Sequence, residues 1–399
     1  MTEAIQTQDP IRLNLGAGDC PLPLYQNLDI KSGKDVQTLD YADNSVDEVR
    51  ASHLLEHFPH GQTVAIVQEW VRVLKPGGTI RISVPDFDKI QEVYNSRGSY
   101  DVPIEAFLMG GQLDEHDRHL AIFNRQKLET LLRAAGCVRV ESWQTEREPD
   151  TSAHPVSVSL QARKRTPRPA PPAVHFVLSA PRLGFSDMWT STIEALKAVP
   201  NAVMRKVTGA YWGQCIERGM IDAVEKDADY IIALDYDSIF TADDAAELVY
   251  LAESYPEADA LVPLQSARGW DNPLVSIIDP ATGKMRGEFT IDEFQEPIAP
   301  ISTGHFGLTL LRCDALKKMA HPWFWGTPDA AGTWEKGKID DDINFWRKFN
   351  ATGLKAFLAC RVVIGHCELM VKWPAKNWQT VHQQLSNYNE KGRPPEVWT

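Results

Sequence analysis

The stretch "QARKRTPRPAPPAV", residues 161–174, carries four prolines and four basic residues between two apolar runs. Proline locks φ and removes a backbone donor, so no ladder or helix runs through such a segment; it favours extended, semi-rigid chain. A chain of 399 residues is also too long for one typical core. Two folding units follow, residues 1–165 and 174–399, joined by a Pro-rich linker at 166–173.

Both units read as α/β. Before the linker, "IRLNLG", "YQNLDI", "VDEVRAS" and "TIRISVP" have the length and composition of strands, and "QTVAIVQEWVRVL" and "RQKLETLLRAAG" show helical periodicity. Alternation of this kind implies a doubly wound, mostly parallel sheet. After the linker it resumes. Strands are expected at "AVHFVLSA", "YIIALDYD", "ADALVPLQ", "TGHFGLTLLRCDAL" and "KAFLACRVVIGH". Helices are expected at "DMWTSTIEALKAV", "YWGQCIERGMIDAVEKD", "TADDAAELVYLAESY" and "DDDINFWRKFNATG".

The net charge is −13. It argues against a surface built for phosphate neutralisation, although a local basic groove stays open. No run of about 18 apolar residues appears, so no membrane span is expected. The opening "MTEAIQTQDP" is polar and lacks the apolar core of a signal peptide. The six cysteines have no C-x-x-C spacing, which fits reduced thiols in a cytoplasmic protein without a structural zinc.

In the first unit, "LNLGAGDC" sets Gly16 and Gly18 directly after a strand, where glycine lets backbone approach a ligand closely. Asp29 ends the next strand, a position from which a carboxylate can take both hydroxyls of a ribose. Asp40 follows in "TLDYADNSVDEV", then "SHLLEHF" at 52–58 and "EWVRVLKPGGTIRISVPD". In this order the motifs resemble the class I S-adenosylmethionine-dependent methyltransferases, in particular the methyltransferase type 11 group, over about residues 10–165. The resemblance implies a Rossmann-like fold and S-adenosylmethionine as cofactor. Gly16 and Gly18 would meet its methionine moiety, Asp29 the ribose and Asp40 the adenine amine, with His53 lining the pocket. Gly18 and Asp29 stand close in sequence, so the first helix must be short or missing. His57, His60, His116 and His119 are candidates for a general base on the methyl acceptor, since an imidazole near neutral pKa can take a hydroxyl proton. His-x-x-Glu-His at 53–57 has metal-binding residue types but no further ligand at a fitting spacing, so no metal is expected there.

In the second unit, "YIIALDYDSIF" drives a buried strand into Asp235 and Asp237, which share a strand face. Two carboxylates so placed repel unless a cation lies between them; the plainer alternative is a strand end followed by a helix cap. With "STGHFG" at 302–307, "DDDINFW" at 340–346 and "VVIGHCE" downstream, the order resembles the GT-A glycosyltransferases that use nucleotide sugars. The resemblance implies a GT-A-like fold and a divalent metal, Mn²⁺ or Mg²⁺, on Asp235, Asp237 and His366, bridging the donor diphosphate. It places Pro181, Arg182, Arg218 and Asp235 at the donor nucleotide. Asp342 or its neighbour Asp341 becomes the base toward the acceptor hydroxyl, with Phe345 as the motif's aromatic. Trp270, Trp323, Trp325 and Trp334 are candidates for stacking on sugar rings.

The expected function is a bifunctional transferase, methylating with one unit and glycosylating with the other on a common glycan or other hydroxyl acceptor. Two alternatives are bacteriophage-type modification of nucleic-acid bases, which the acidity disfavours, and a binding protein with one degenerate domain.

Overall fold

A computed structural model of the chain describes residues 9–18, 20–96, 103–145, 151–181, 184–267, 273–278, 284–335, 337–375 and 378–397. The chain forms two compact units, Met1–Pro169 and Ala170–Thr399. Among the described residues no helix is long and apolar enough to cross a membrane.

The first unit contains strands β1 (Arg12–Leu15), β2 (Gln26–Leu28), β3 (Val46–Ser52), β4 (Leu74–Pro85), β5 (Cys137–Ser142) and β6 (Ser157–Lys164). Its helices are α1 (Thr63–Val73), α2 (Phe87–Ser96), α3 (Ile104–Met109) and α4 (Arg125–Ala134). The sheet order is β2-β1-β3-β4-β6-β5. The first four strands are parallel, and β6 runs antiparallel to both β4 and β5. The chain leaves β1 for β2 on one side and then crosses to β3 on the other. The carboxyl end of β1 is therefore the place where the strand order reverses, the usual ligand crevice of an open α/β sheet. Among the described residues no helix lies between β1 and β2, as the short Gly18–Asp29 interval requires.

This sheet is not covered alike on its two faces. Leu13, Leu15, Val49, Ile80, Ile82 and Leu160 point one way into a core closed by α1 and α4. The opposite face carries a polar row in register, Asn27, Asn14, Arg50, Arg81, Gln161 and Glu141. The expected doubly wound sandwich is thus one-sided in its apolar core. Period-two alternation in "RLNL", "EVRAS" and "IRISV" is the cause, because every second side chain on that face is polar; Asn14 and Arg50 are buried there by pairing, Arg50 Nη1 donating to Asn14 Oδ1 at 3.0 Å.

The second unit contains β7 (Val174–Ser179), β8 (Ala202–Val207), β9 (Tyr230–Leu234), β10 (Ser238–Ile239), β11 (Ala260–Leu264), β12 (Ile277–Ile278), β13 (Met285–Arg286) and β14 (Ile298–Ile301). It continues with β15 (Leu308–Arg312), β16 (Ala356–Val363), β17 (Gly365–His366), β18 (Met370–Pro374) and β19 (Thr380–Gln384). Its helices are α5 (Ser186–Ala198), α6 (Trp212–Glu225), α7 (Ala242–Ser254), α8 (Cys313–Leu316), α9 (Asp341–Ala351) and α10 (Leu385–Lys391). Seven strands form a mixed sheet, β14-β16-β11-β15-β9-β7-β8. Here both faces are apolar. Val177, Ile231 and Ala233 pack with Ile216, Phe345 and Trp346 on one side, and Phe176, Leu178, Ile232 and Leu234 pack with Met188, Leu248 and Leu251 on the other. Burial on two faces explains why β7 and β9 read as unbroken apolar runs.

Candidate functional site

At the carboxyl end of β1 the chain turns through Gly16 and Gly18, with φ of 65° and 47°. A side chain at Gly16 would also strike Leu54. A Cβ at Gly18 would meet nothing within 4 Å, so the backbone there is open to approach. Asp29 follows β2 immediately and caps the short turn Ile30–Ser32. Its Oδ1 accepts from Lys31 N and its Oδ2 from Gly18 N, each at 2.9 Å. The structure therefore brings Gly16, Gly18 and Asp29 together. Asp40 is exposed, beyond Leu39, whose N–H donates to Glu69 Oε1 at 2.8 Å.

His53 leaves β3 in the left-handed region, with φ of 47°, an uncommon conformation for a non-glycine residue. It turns the chain into the buried "LEH" turn, Leu55–His57. Its Nε2 pairs with Ser157 Oγ at 2.8 Å, and its Nδ1 stands 3.4 Å from Glu56 Oε1. Glu56 is 1% exposed, and neither carboxylate oxygen makes a hydrogen bond among the described residues. Burial pushes its carboxyl up to about 8. His57 and His119 meet edge to edge with centroids 4.9 Å apart. Burial lowers both imidazoles, His119 to about 4. His116 is exposed, and the His60 carbonyl accepts from Thr63 Oγ1 at 3.0 Å. Lys31 lies 3.4 Å from Asp114, which ties the loop before His119 to the turn after β2.

A cavity of about 530 Å³ opens elsewhere, on the polar face of the sheet, lined in part by Arg12, Tyr25, Arg50, Arg81, Trp143 and Gln161. Arg50 and Arg81 lie over the Trp143 ring at 5.5 and 5.8 Å. None of the residues expected to hold the cofactor lines it. Sequence reasoning missed this face, although the alternation of "RLNL" and "IRISV" signals it.

In the second unit β9 ends at Leu234, and Asp235 to Asp237 turn out of the sheet into β10. Asp235 Oδ1 accepts from Tyr236 N at 2.9 Å. Asp237 is 2% exposed. Strand β10 pairs antiparallel with β17, setting Ser238 opposite His366. That pairing brings His366 Nε2 to 3.4 Å from Asp237 Oδ2, while His366 Nδ1 donates to Ser266 O at 3.0 Å. Gly307, at the end of the "STGHFG" loop, packs where a Cβ would strike Ser238 Oγ. Buried His305 accepts from Gly307 N through Nδ1 at 3.0 Å and donates from Nε2 to Pro263 O at 2.8 Å. Burial lowers its imidazole to about 4, so it is neutral.

A side chain at Gly184 would lie beside both Pro181 and Tyr236, so the segment after β7 adjoins the Asp-Tyr-Asp turn; Arg182 lies outside the described residues. Arg218, on α6, is exposed and donates to Thr208 O at 3.0 Å. At the start of α9, Asp340 is the N-cap. The Asp341 carboxylate packs on Gly213, at the start of α6, where a side chain would not fit. Asp342 is half-buried and its carboxyl is raised, by burial first and then by the charges of Asp341 and Asp340. Phe345 is wholly in the core. Trp323 is also buried, which removes it as a sugar platform, whereas Trp325 and Trp334 are exposed. Trp270 lies outside the described residues.

No curated protein matches the chain. Solved structures similar to it include a SAM-dependent methyltransferase from Thermotoga maritima, described as a possible histamine N-methyltransferase. It is 15% identical, with 40% of this chain and 84% of that one covered and a TM-score of 0.27. A SAM-dependent methyltransferase from Methanosarcina mazei is 16% identical over 40% of this chain and 94% of that one, with a TM-score of 0.29. One from Archaeoglobus fulgidus is 15% identical over 39% and 86%, with a TM-score of 0.26. The family described as "Methyltransferase domain" matches residues 26–82, so the first unit carries a methyltransferase-domain match spanning β2, β3, α1 and most of β4.

Proposed function

We propose that the chain is a bifunctional transferase. Its first unit transfers methyl groups from S-adenosylmethionine, and its second transfers a sugar from a nucleotide donor with a divalent metal. Both act on a common glycan or other hydroxyl acceptor. The observation that carries the first half is the meeting of Gly16, Gly18 and Asp29 at the strand-order reversal of a unit whose sequence matches a methyltransferase domain. The residues fit the cofactor: Gly18 leaves open space, and Asp29 keeps acceptor capacity beyond its two backbone donors. Bound there, S-adenosylmethionine would supply an activated methyl group. Asp29 would orient the ribose, and Gly16 and Gly18 would admit the methionine moiety.

The second half rests on Asp237 and His366, delivered by two paired strands to within 3.4 Å. A buried carboxylate beside an imidazole whose other nitrogen donates to a carbonyl is a donor set suited to a divalent cation. Such a cation would offset charge on the leaving diphosphate. Asp235 would complete the carboxylate pair, with Pro181, Arg182 and Arg218 toward the donor. Asp342, its carboxyl raised by burial, suits a base toward an acceptor hydroxyl.

A donor screen tests this half. The full chain is incubated with each common nucleotide sugar and Mn²⁺, and nucleoside diphosphate release is followed. Release from one donor, dependent on the metal, is expected. No release from any donor would remove the glycosyltransferase reading.

A further inference from the structure

Glu56, His57 and His119 each offer one donor atom, and these atoms lie within 4.8 Å of one another. We propose that they form a transition-metal site in the first unit, suited to Zn²⁺, separate from the carboxylates of the second. Two neighbouring residues of the "LEH" turn and one residue from the loop ahead of α4 converge on it. A fold-level link holds them: Leu120 N and Ala121 N both donate to Glu56 O, at 2.7 and 3.1 Å. That clamp fixes His119 beside the turn and supplies the third ligand that the spacing of 53–57 lacks.

The hydrogen bonds of the two rings point the same way. His57 Nδ1 faces Arg118 O at 3.2 Å, and His119 Nδ1 faces Phe107 O at 3.0 Å. A carbonyl can only accept, so each Nδ1 carries the proton and each Nε2 keeps its lone pair. A backbone carbonyl behind the ring is the arrangement that orients metal-binding histidines and sets their tautomer. The carboxylate supplies an independent sign. Glu56 is buried, both its oxygens make no hydrogen bond among the described residues, and the nearby His53 nitrogen lies outside hydrogen-bond geometry. A buried carboxylate left so is costly unless a cation or a proton neutralises it. Two imidazoles and one carboxylate suit Zn²⁺ and leave at least one position for water or a substrate oxygen. The reading does not depend on either transferase activity.

The test is zinc content of the full chain after equilibrium dialysis against micromolar Zn²⁺, with Asp237→Asn as the background so that the second unit's carboxylates do not add to the count, alone and combined with Glu56→Gln or His119→Gln. Loss of about one zinc per chain is expected on adding either substitution. Circular dichroism identifies any variant that fails to fold, and the half-exposed His119 is the safer of the pair. Co²⁺ loaded at the same site should show ligand-field bands without thiolate charge transfer, and those bands should vanish in His119→Gln. Equal zinc in Asp237→Asn alone and in both combinations would overturn the site. It would leave Glu56 as a protonated buried acid beside His53.

Discussion

Asp29 holds two backbone donors, Gly18 N and Lys31 N, and so fixes the glycine loop. Asp29→Ala should weaken S-adenosylhomocysteine binding by about tenfold to a hundredfold, the worth of one charge-assisted hydrogen bond. Calorimetry reads this, and unchanged affinity would place the ribose elsewhere. His305 allows a prediction in pH. Its imidazole would take a proton near 6.5 when unfolded but only near about 4 in the fold, because it is buried between Pro263 O and Gly307 N. The unfolded state therefore binds the extra proton between those values. Stability is full above pH 6.5 and falls as pH drops toward 4, by up to about 3 kcal/mol. Urea unfolding at pH 7 and pH 5 should show a smaller loss for His305→Gln than for the wild type. Equal losses would mean that His305 is not the group responsible.

At the scale of elements, the pairing of β10 with β17 brings His366 to Asp237, and α9 carries Asp341 and Asp342 in its first turn. Asp237→Asn should abolish Mn²⁺ dependence and donor turnover together. Asp342→Asn should leave donor binding nearly intact while slowing transfer by about 10²–10⁴ if it is the base. Normal turnover in both would return the Asp-Tyr-Asp turn to a plain strand end. Elements buried on two faces were legible from sequence, as with "VHFVLS" and "YIIAL", because nothing interrupts their apolar run. Helix α7 was legible from its capping box, Thr241 with Asp244. Edge strands were not: β8 is only partly buried and mixes Arg205 and Lys206 into its run, and β14 carries Pro300. The nearness of His119 to His57 was illegible for another reason. Nothing local marks a loop residue as the neighbour of His57 when the contact depends on two backbone hydrogen bonds to Glu56.

At the scale of the molecule, the division into Met1–Pro169 and Ala170–Thr399 falls in an exposed run from Arg165 to Pro171. Trypsin cuts poorly before proline, so Arg168 is shielded by Pro169 and Arg165 becomes the preferred site in this run. Limited trypsin digestion should give two stable fragments meeting at Arg165, and a pattern without that cut would argue against an accessible linker. Each unit has its own apolar core, one-sided in the first and two-sided in the second. The most direct test of the two-transferase account is calorimetry of the intact chain with S-adenosylhomocysteine, beside Asp29→Ala. Saturable binding of one molecule per chain, weakened in the variant, is the result expected. No binding by the folded wild-type chain would contradict the methyltransferase assignment on which the account rests.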